Sequence, residues 1–163
     1  MEHEAPAIFV ALEQSGFAAA IRQSRWLYPF ANVGHIVSLM AFASAVAVMD
    51  LRLLGAFAAT APGPLLARAR IAAIAAFCGQ ALTGFMLFSA EASHLVGNPV
   101  LRLKFLLIAA GLINVLVYEL IARRAVEALP PGAPLPRSAG AAAALSLVIW
   151  IAVAACGRSI AYF

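Results

Sequence analysis

The sequence predicts an all-α protein, an integral membrane four-helix bundle with one short interfacial helix ahead of it. Three observations carry that prediction. Hydrophobic residues make up 64% of the chain and charged residues 11%, with a mean hydropathy of +0.96, far more apolar than a soluble domain. From Phe30 to Val48 no residue is charged, and at about 1.5 Å per residue that run matches the hydrocarbon thickness of a bilayer. Three more apolar segments of similar length follow, each bounded by charged residues or prolines. Residues 1–163 are expected to form a single transmembrane domain.

Before the first span the chain carries Glu2, Glu4, Glu13, Arg22 and Arg25. The charge-free run Ala5 to Leu12 has no basic region before it and no small-residue cleavage site after it, so no cleaved signal peptide is expected. His3, in the same segment, is assigned no role. Ser15 is placed to N-cap a helix over about 15–24, with Phe17 and Ile21 four apart and directed into the headgroup zone. Trp26 and Tyr28 form an aromatic belt, and Pro29 falls in the first turn of a span over about 29–50. Asp50 and Arg52 mark its far interface. At about 100° per residue, Tyr28, Asn32, His35 and Ser38 share an arc about 120° wide, with Ser44 opposite. A polar stripe within lipid must face protein or a water-filled cavity, so this helix needs partners.

Ala61-Pro62-Gly63-Pro64 breaks the helix, and Arg68 and Arg70 hold the interface of a second span over about 68–89. Ala75, Gly79 and Thr83 repeat there at the small-xxx-small spacing that lets membrane helices approach closely. A short polar connection, Ser89 to Pro99, carries Glu91 and His94. The third span, about 100–122, opens with Arg102 and Lys104. Its Lys104, Gly111, Asn114 and Tyr118 lie within about 80° of one another and form a second polar stripe. Glu119 and Arg123 are four apart and are expected to pair. The proline-rich loop Leu129 to Arg137 leads to a last span over about 139–161, with Trp150 in mid-membrane. Cys78 and Cys156 fall at different depths, so no disulfide is expected and both read as small core residues.

One membrane face collects Arg52, Arg68, Arg70, Arg123, Arg124 and Arg137, the other Arg22, Arg25, Arg102 and Lys104. The balance favours both termini outside. With either orientation, His35, Glu91, His94, Arg102, Lys104 and Arg158 share one half of the bundle. An embedded histidine with cations above it is the donor set of a b-type haem, imidazole for the iron and Arg or Lys for the propionates. Cofactor candidates are therefore His35, Asn32, Lys104, Arg102, Arg158, Asn114 and Tyr118, and the metal candidates are His35 and His94, with Met40 and Met86 as alternative axial ligands. Against this stands a structural reading. His35 would then hydrogen-bond Asn114, Tyr118 or a backbone carbonyl, and Lys104 and Arg158 would anchor the helix ends at the headgroups.

No G-x-S-x-G, H-E-x-x-H, C-x-x-C or phosphate-cradling glycine loop occurs, which argues against hydrolase and nucleotide chemistry. No M-x-x-M pair supports copper. No basic run interleaved with aromatics points to nucleic acid, and no inverted repeat points to a transporter. Three readings remain open: a redox or metal-handling component with haem b or a metal at His35, a non-catalytic accessory subunit with a membrane or periplasmic protein partner, and a quinone-binding protein near His35 and Arg158. No enzymatic reaction is named by any motif.

Taken in order, WLYP, the His35 stripe, DLRLLG, SAEASHLVGNPVLRLK and the closing GRSIAYF resemble a family of uncharacterised bacterial four-helix inner-membrane proteins, from about residue 10 to the C-terminus. The resemblance maps the family's membrane histidine onto His35, its Asn-Pro and Arg-x-Lys onto Asn98, Pro99, Arg102 and Lys104, and its terminal Gly-Arg onto Gly157 and Arg158. Leu101 stands where the family has an aromatic residue. What the resemblance implies is an architecture and a place in the bacterial inner (cytoplasmic) membrane, not an activity.

Overall fold

The computed structural model describes residues 5–163, which form an all-helical bundle. Two short helices, α1 (Ala7–Glu13) and α2 (Gly16–Gln23), precede α3 (Leu27–Leu53) and α4 (Pro62–Ala90). A single turn, α5 (Ala92–Leu95), leads to α6 (Pro99–Ile121), then α7 (Arg123–Glu127) and α8 (Arg137–Ser159), which ends in a 3₁₀ turn. Helices α3, α4, α6 and α8 are each long and apolar enough to cross a membrane. One end of the bundle carries α1, α2, α5 and the C-terminus, and is called here the terminal face. The other, with the 54–61 and 128–136 connections, is the loop face.

Local chemistry sets the helix boundaries. Ser15 caps α2 as the sequence predicts, its Oγ accepting from Ala18 N at 3.2 Å. Pro62 and Pro64 do not break a helix; they occupy the first turn of α4, where a missing N–H costs nothing, so α4 starts six residues earlier than expected. The break lies just before it, in a turn where Gly55 takes φ 105° and Phe57 φ 55°. Asn98 caps α6 by accepting from Val100 N at 2.9 Å and Leu101 N at 3.2 Å. Its Nδ2 meanwhile donates to Ile160 O at 3.2 Å, tying the end of α8 to the start of α6.

The short N-terminal helices differ from the expectation. Ile21 is buried, because α2 packs on α4 instead of dipping into headgroups, and Phe17 stacks on Phe85 with ring centroids 5.9 Å apart. Helix α1 lies on the same end, with Phe9 edge-on to Phe88. Glu13 accepts from Ser93 N at 2.7 Å and from the Ser93 hydroxyl, which latches α1 to α5.

Helix α3 runs along α4 and α6 runs along α8, and the two pairs meet through α3 and α8; α4 and α6 make at most marginal contact within the membrane. Trp150 fills the space this leaves. Its indole sits edge-on to Phe42 at 4.7 Å and 6.3 Å from Phe77, while Gly111 on α6 makes room for it: a Cβ there would lie 2.9 Å from Trp150 Cζ2. The α3/α4 seam is built of small residues, as the spacing suggests. It follows Gly79, Thr83 and Gly84 against Gly34, His35 and Ser38, whereas Ala75 is exposed. Both cysteines are free, and Cys78 is exposed on the lipid side instead of lying in the core.

Charged residues of the loop face also depart from a simple interfacial pattern. Asp50 and Arg52, at the C-terminal end of α3, are buried in protein at 5% and 1% exposure. The expected Glu119–Arg123 pair is present at 2.8 Å, within a larger network. Arg70 of α4 reaches Glu119 at 2.7 Å and Glu127 at 2.8 Å, and Arg123 also reaches Glu127 at 3.2 Å. This joins α4 to α6 and α7 beside the cluster in which Leu66 packs with Tyr118, Ala122 and Val126.

Two predictions follow from this packing. Gly111→Ala pushes against an indole held by two other rings, and should destabilise the protein by about 1–3 kcal/mol, read as a lower unfolding temperature in detergent. Burial pushes the Glu127 carboxyl up, but Arg70 and Arg123 outweigh it and hold the group below its ordinary value of 4.5. A carboxylate with a depressed folded value stabilises above its unfolded value and loses that contribution as pH falls through the folded one. Acid titration of stability should therefore show a loss beginning near pH 4.5 and deepening below it, with a shallower fall in Arg70→Gln.

Candidate functional site

His35 lies eight residues into α3 from the terminal face, about 12 Å deep at 1.5 Å per residue. Its Nδ1 is 2.9 Å from Thr83 Oγ1, and that hydroxyl donates to Gly79 O at 2.6 Å. A threonine hydroxyl has one hydrogen. With that hydrogen directed at a carbonyl, Oγ1 is left to accept from the imidazole, which assigns the proton to Nδ1 and the lone pair to Nε2 by the hydrogen-bond geometry. No group among the described residues bonds Nε2. Gly84 provides the room for the ring, since a Cβ there would lie 3.2 Å from His35 Cε1. Gln80 fixes the backbone beneath it by donating to His35 O at 2.5 Å. An imidazole with one nitrogen tied down and the other free is what a ligand or proton acceptor requires.

Across the bundle, Lys104 stands five residues into α6, about 7.5 Å from the terminal face on the same helix rise and so nearer that face than His35. It is half-buried, with Nζ 3.4 Å from where a Gly157 Cβ would be. Among the described residues it has no hydrogen-bond or ion-pair partner, and its charge is the one that acts on the His35 ring. His35 belongs to the α3/α4 pair and packs against Gly84, whereas Lys104 belongs to the α6/α8 pair and packs against Gly157.

The other sequence candidates do not join them. Asn32 is exposed on α3. Arg102 is exposed and donates to Val96 O at 3.2 Å. Arg158 folds over the Tyr162 ring, 4.6 Å from its centroid, and donates to the phenol oxygen, the posture of an interface anchor. His94 is exposed on α5. Asn114 and Tyr118 sit roughly 10 and 16 Å deeper than His35 on the helix rise. Asn114 donates to Ala142 O at 3.0 Å, and the Tyr118 hydroxyl is buried without a partner near the loop face. Neither bonds His35, because a polar stripe along one helix face covers the full depth of the membrane and does not specify a level.

Sequence reasoning missed two things. Thr83, Gln80 and Gly84 hold the imidazole, yet they read only as small or neutral residues. Polar groups also collect in the loop-face half, where Asp50, Arg52, Ser146 and Tyr118 are all buried. The signal available was the DLR triplet, which a topology count assigns to the interface.

For a b-type haem the bundle supplies one imidazole, because among the described residues no histidine other than His35 lies within a span. The spaces over Gly84, Gly111 and Gly157 are taken by His35, Trp150 and Lys104. Met40 faces outward at 65% exposure. No three His, Cys, Asp or Glu side chains converge on a metal-binding point among the described residues. Comparison with known proteins found no match: no protein family, curated protein or solved structure is similar to the chain.

The Thr83 bond can be tested directly. Imidazole ¹⁵N spectra should show His35 as the Nδ1–H form, and Thr83→Val should lose that preference and destabilise the protein by about 1–3 kcal/mol through an unmet buried donor. Thr83→Ser should restore both.

Proposed function

We propose that the protein is a small membrane redox component that binds the head group of a quinone or quinol between His35 and Lys104. The His35 Nδ1–Thr83 Oγ1 bond, which leaves Nε2 without a partner among the described residues, is the observation that supports this reading. His35 Nε2 accepts from a head-group hydroxyl and takes its proton, while Lys104 donates to an oxygen of the same ring. A cation alone is a weaker occupant, because Lys104 repels it. The arginine distribution favours both termini outside, and the family resemblance favours a bacterial inner membrane.

One observation favours the accessory-subunit reading. A hollow of about 870 Å³ opens on α3 and α4, walled by Ala41, Ser44, Ala45, Ala69 and Ala72 with Leu65 and Arg68 at one end. Small walls of that kind receive a partner helix.

The deciding experiment titrates detergent-purified protein with a short-chain quinone analogue, following tryptophan quenching, beside oxidised and dithionite-reduced visible spectra. Binding should weaken about tenfold or more in His35→Ala and in Lys104→Gln, the loss of one charge-assisted or buried hydrogen bond each. His94→Ala should bind as the parent does. Saturable binding that ignores both substitutions, or none at all, removes the quinone reading. A reduced-minus-oxidised haem signal lost in His35→Ala would replace it with a cytochrome.

A further inference from the structure

The loop face contains a second feature that the His35 region does not use. A hollow of about 380 Å³ lies between the turn after α3 and the proline loop before α8, lined by Arg52, Leu53, Gly55, Ala58, Arg137 and Gly140 among others. Gly132 N donates to Ala58 O at 2.8 Å and holds the two loops together. Gly55 and Gly132 take φ of 105° and 77°, so glycine is needed to turn both walls.

Three sources of positive potential meet there. Arg52 is 1% exposed; its Nη2 donates to Thr60 O at 3.0 Å, but its Nε is buried with no partner. Arg137 lies exposed at the rim, with no partner among the described residues. Helix α8 begins at the same point without a side-chain cap. Ala139 N and Gly140 N both turn back to Pro136 O, which leaves the N–H groups of Arg137 and Ser138 unbonded at the positive end of a long helix. No acidic side chain lines the hollow. Burying a guanidinium with an unmet donor is costly unless an anion completes it.

We infer that this hollow is an anion site for a phosphate group, supplied either by free phosphate or by the head group of an anionic phospholipid. Arg52 holds the anion from within, Arg137 closes over it from the rim, and the α8 N-terminus donates from its backbone, the arrangement that helix N-termini present to phosphates.

The test uses the full chain, delipidated in neutral detergent, with two probes. Inorganic phosphate is titrated against chloride at equal ionic strength and followed by thermal shift. Phosphatidic acid is compared with phosphatidylcholine by native mass spectrometry. Stabilisation by phosphate assigns the site to a soluble anion, and selective retention of phosphatidic acid assigns it to a lipid head group. In either case Arg137→Gln, an exposed position that should fold normally, weakens binding about tenfold, and Ala133→Glu, which sets a carboxylate in the hollow, abolishes it. Absence of any preference over chloride and phosphatidylcholine overturns the inference, as does unchanged binding in both variants.

Discussion

The seating of the Trp150 indole against Gly111 is the contact on which the rest of the bundle depends. Within lipid there is no water to drive apolar helices together, so they hold only through close packing and buried hydrogen bonds. Here the two helix pairs would be joined by α3 and α8 alone if nothing occupied the space between α4 and α6. The indole, braced by Phe42 and Phe77, sets that spacing at mid-depth. The Arg70 network sets it again at the loop face.

This plug also divides the interior. On the terminal side lie His35, Thr83, Gln80 and Lys104; on the loop side lie Asp50, Arg52, Ser146, Tyr118 and Asn114. Each half places ionisable groups inside the membrane, where such groups are expensive and serve function more often than folding. The two halves differ in what they leave open. The terminal half holds an imidazole and an ammonium, and the loop half holds the Arg52 guanidinium beside a buried carboxyl and hydroxyls.

The sequence reveals the architecture because a span is a statement about length and charge, and both are read directly along the chain. Nineteen-residue-scale apolar runs, the Ser15 and Asn98 caps and the Gly79 and Thr83 seam all depend on neighbours within a few positions. The site is legible only in part. His35 and Lys104 stand out as ionisable residues in apolar surroundings, but Thr83 and Gly84 acquire meaning only from the helix opposite. Asn114 and Tyr118 show the converse limit: angular position is periodic in sequence, whereas depth relative to another helix is set by loops and tilt. Arg52 shows a third, since an arginine at a helix end is ordinarily an interfacial anchor and is here enclosed by two loops folding over it.

The bond between His35 and Thr83 joins residues 48 apart in the chain, and this bears on how the protein enters the bilayer during synthesis. When α3 emerges from the ribosome its imidazole and the His35 carbonyl have no partner yet, because Thr83 and Gln80 are still untranslated. A lone α3 released into lipid would expose that polar stripe, at a cost that falls only when α4 arrives. Helices α3 and α4 therefore suit insertion as a hairpin, retained together at the translocon until the seam closes, with α6 and α8 joining as a second hairpin around Trp150.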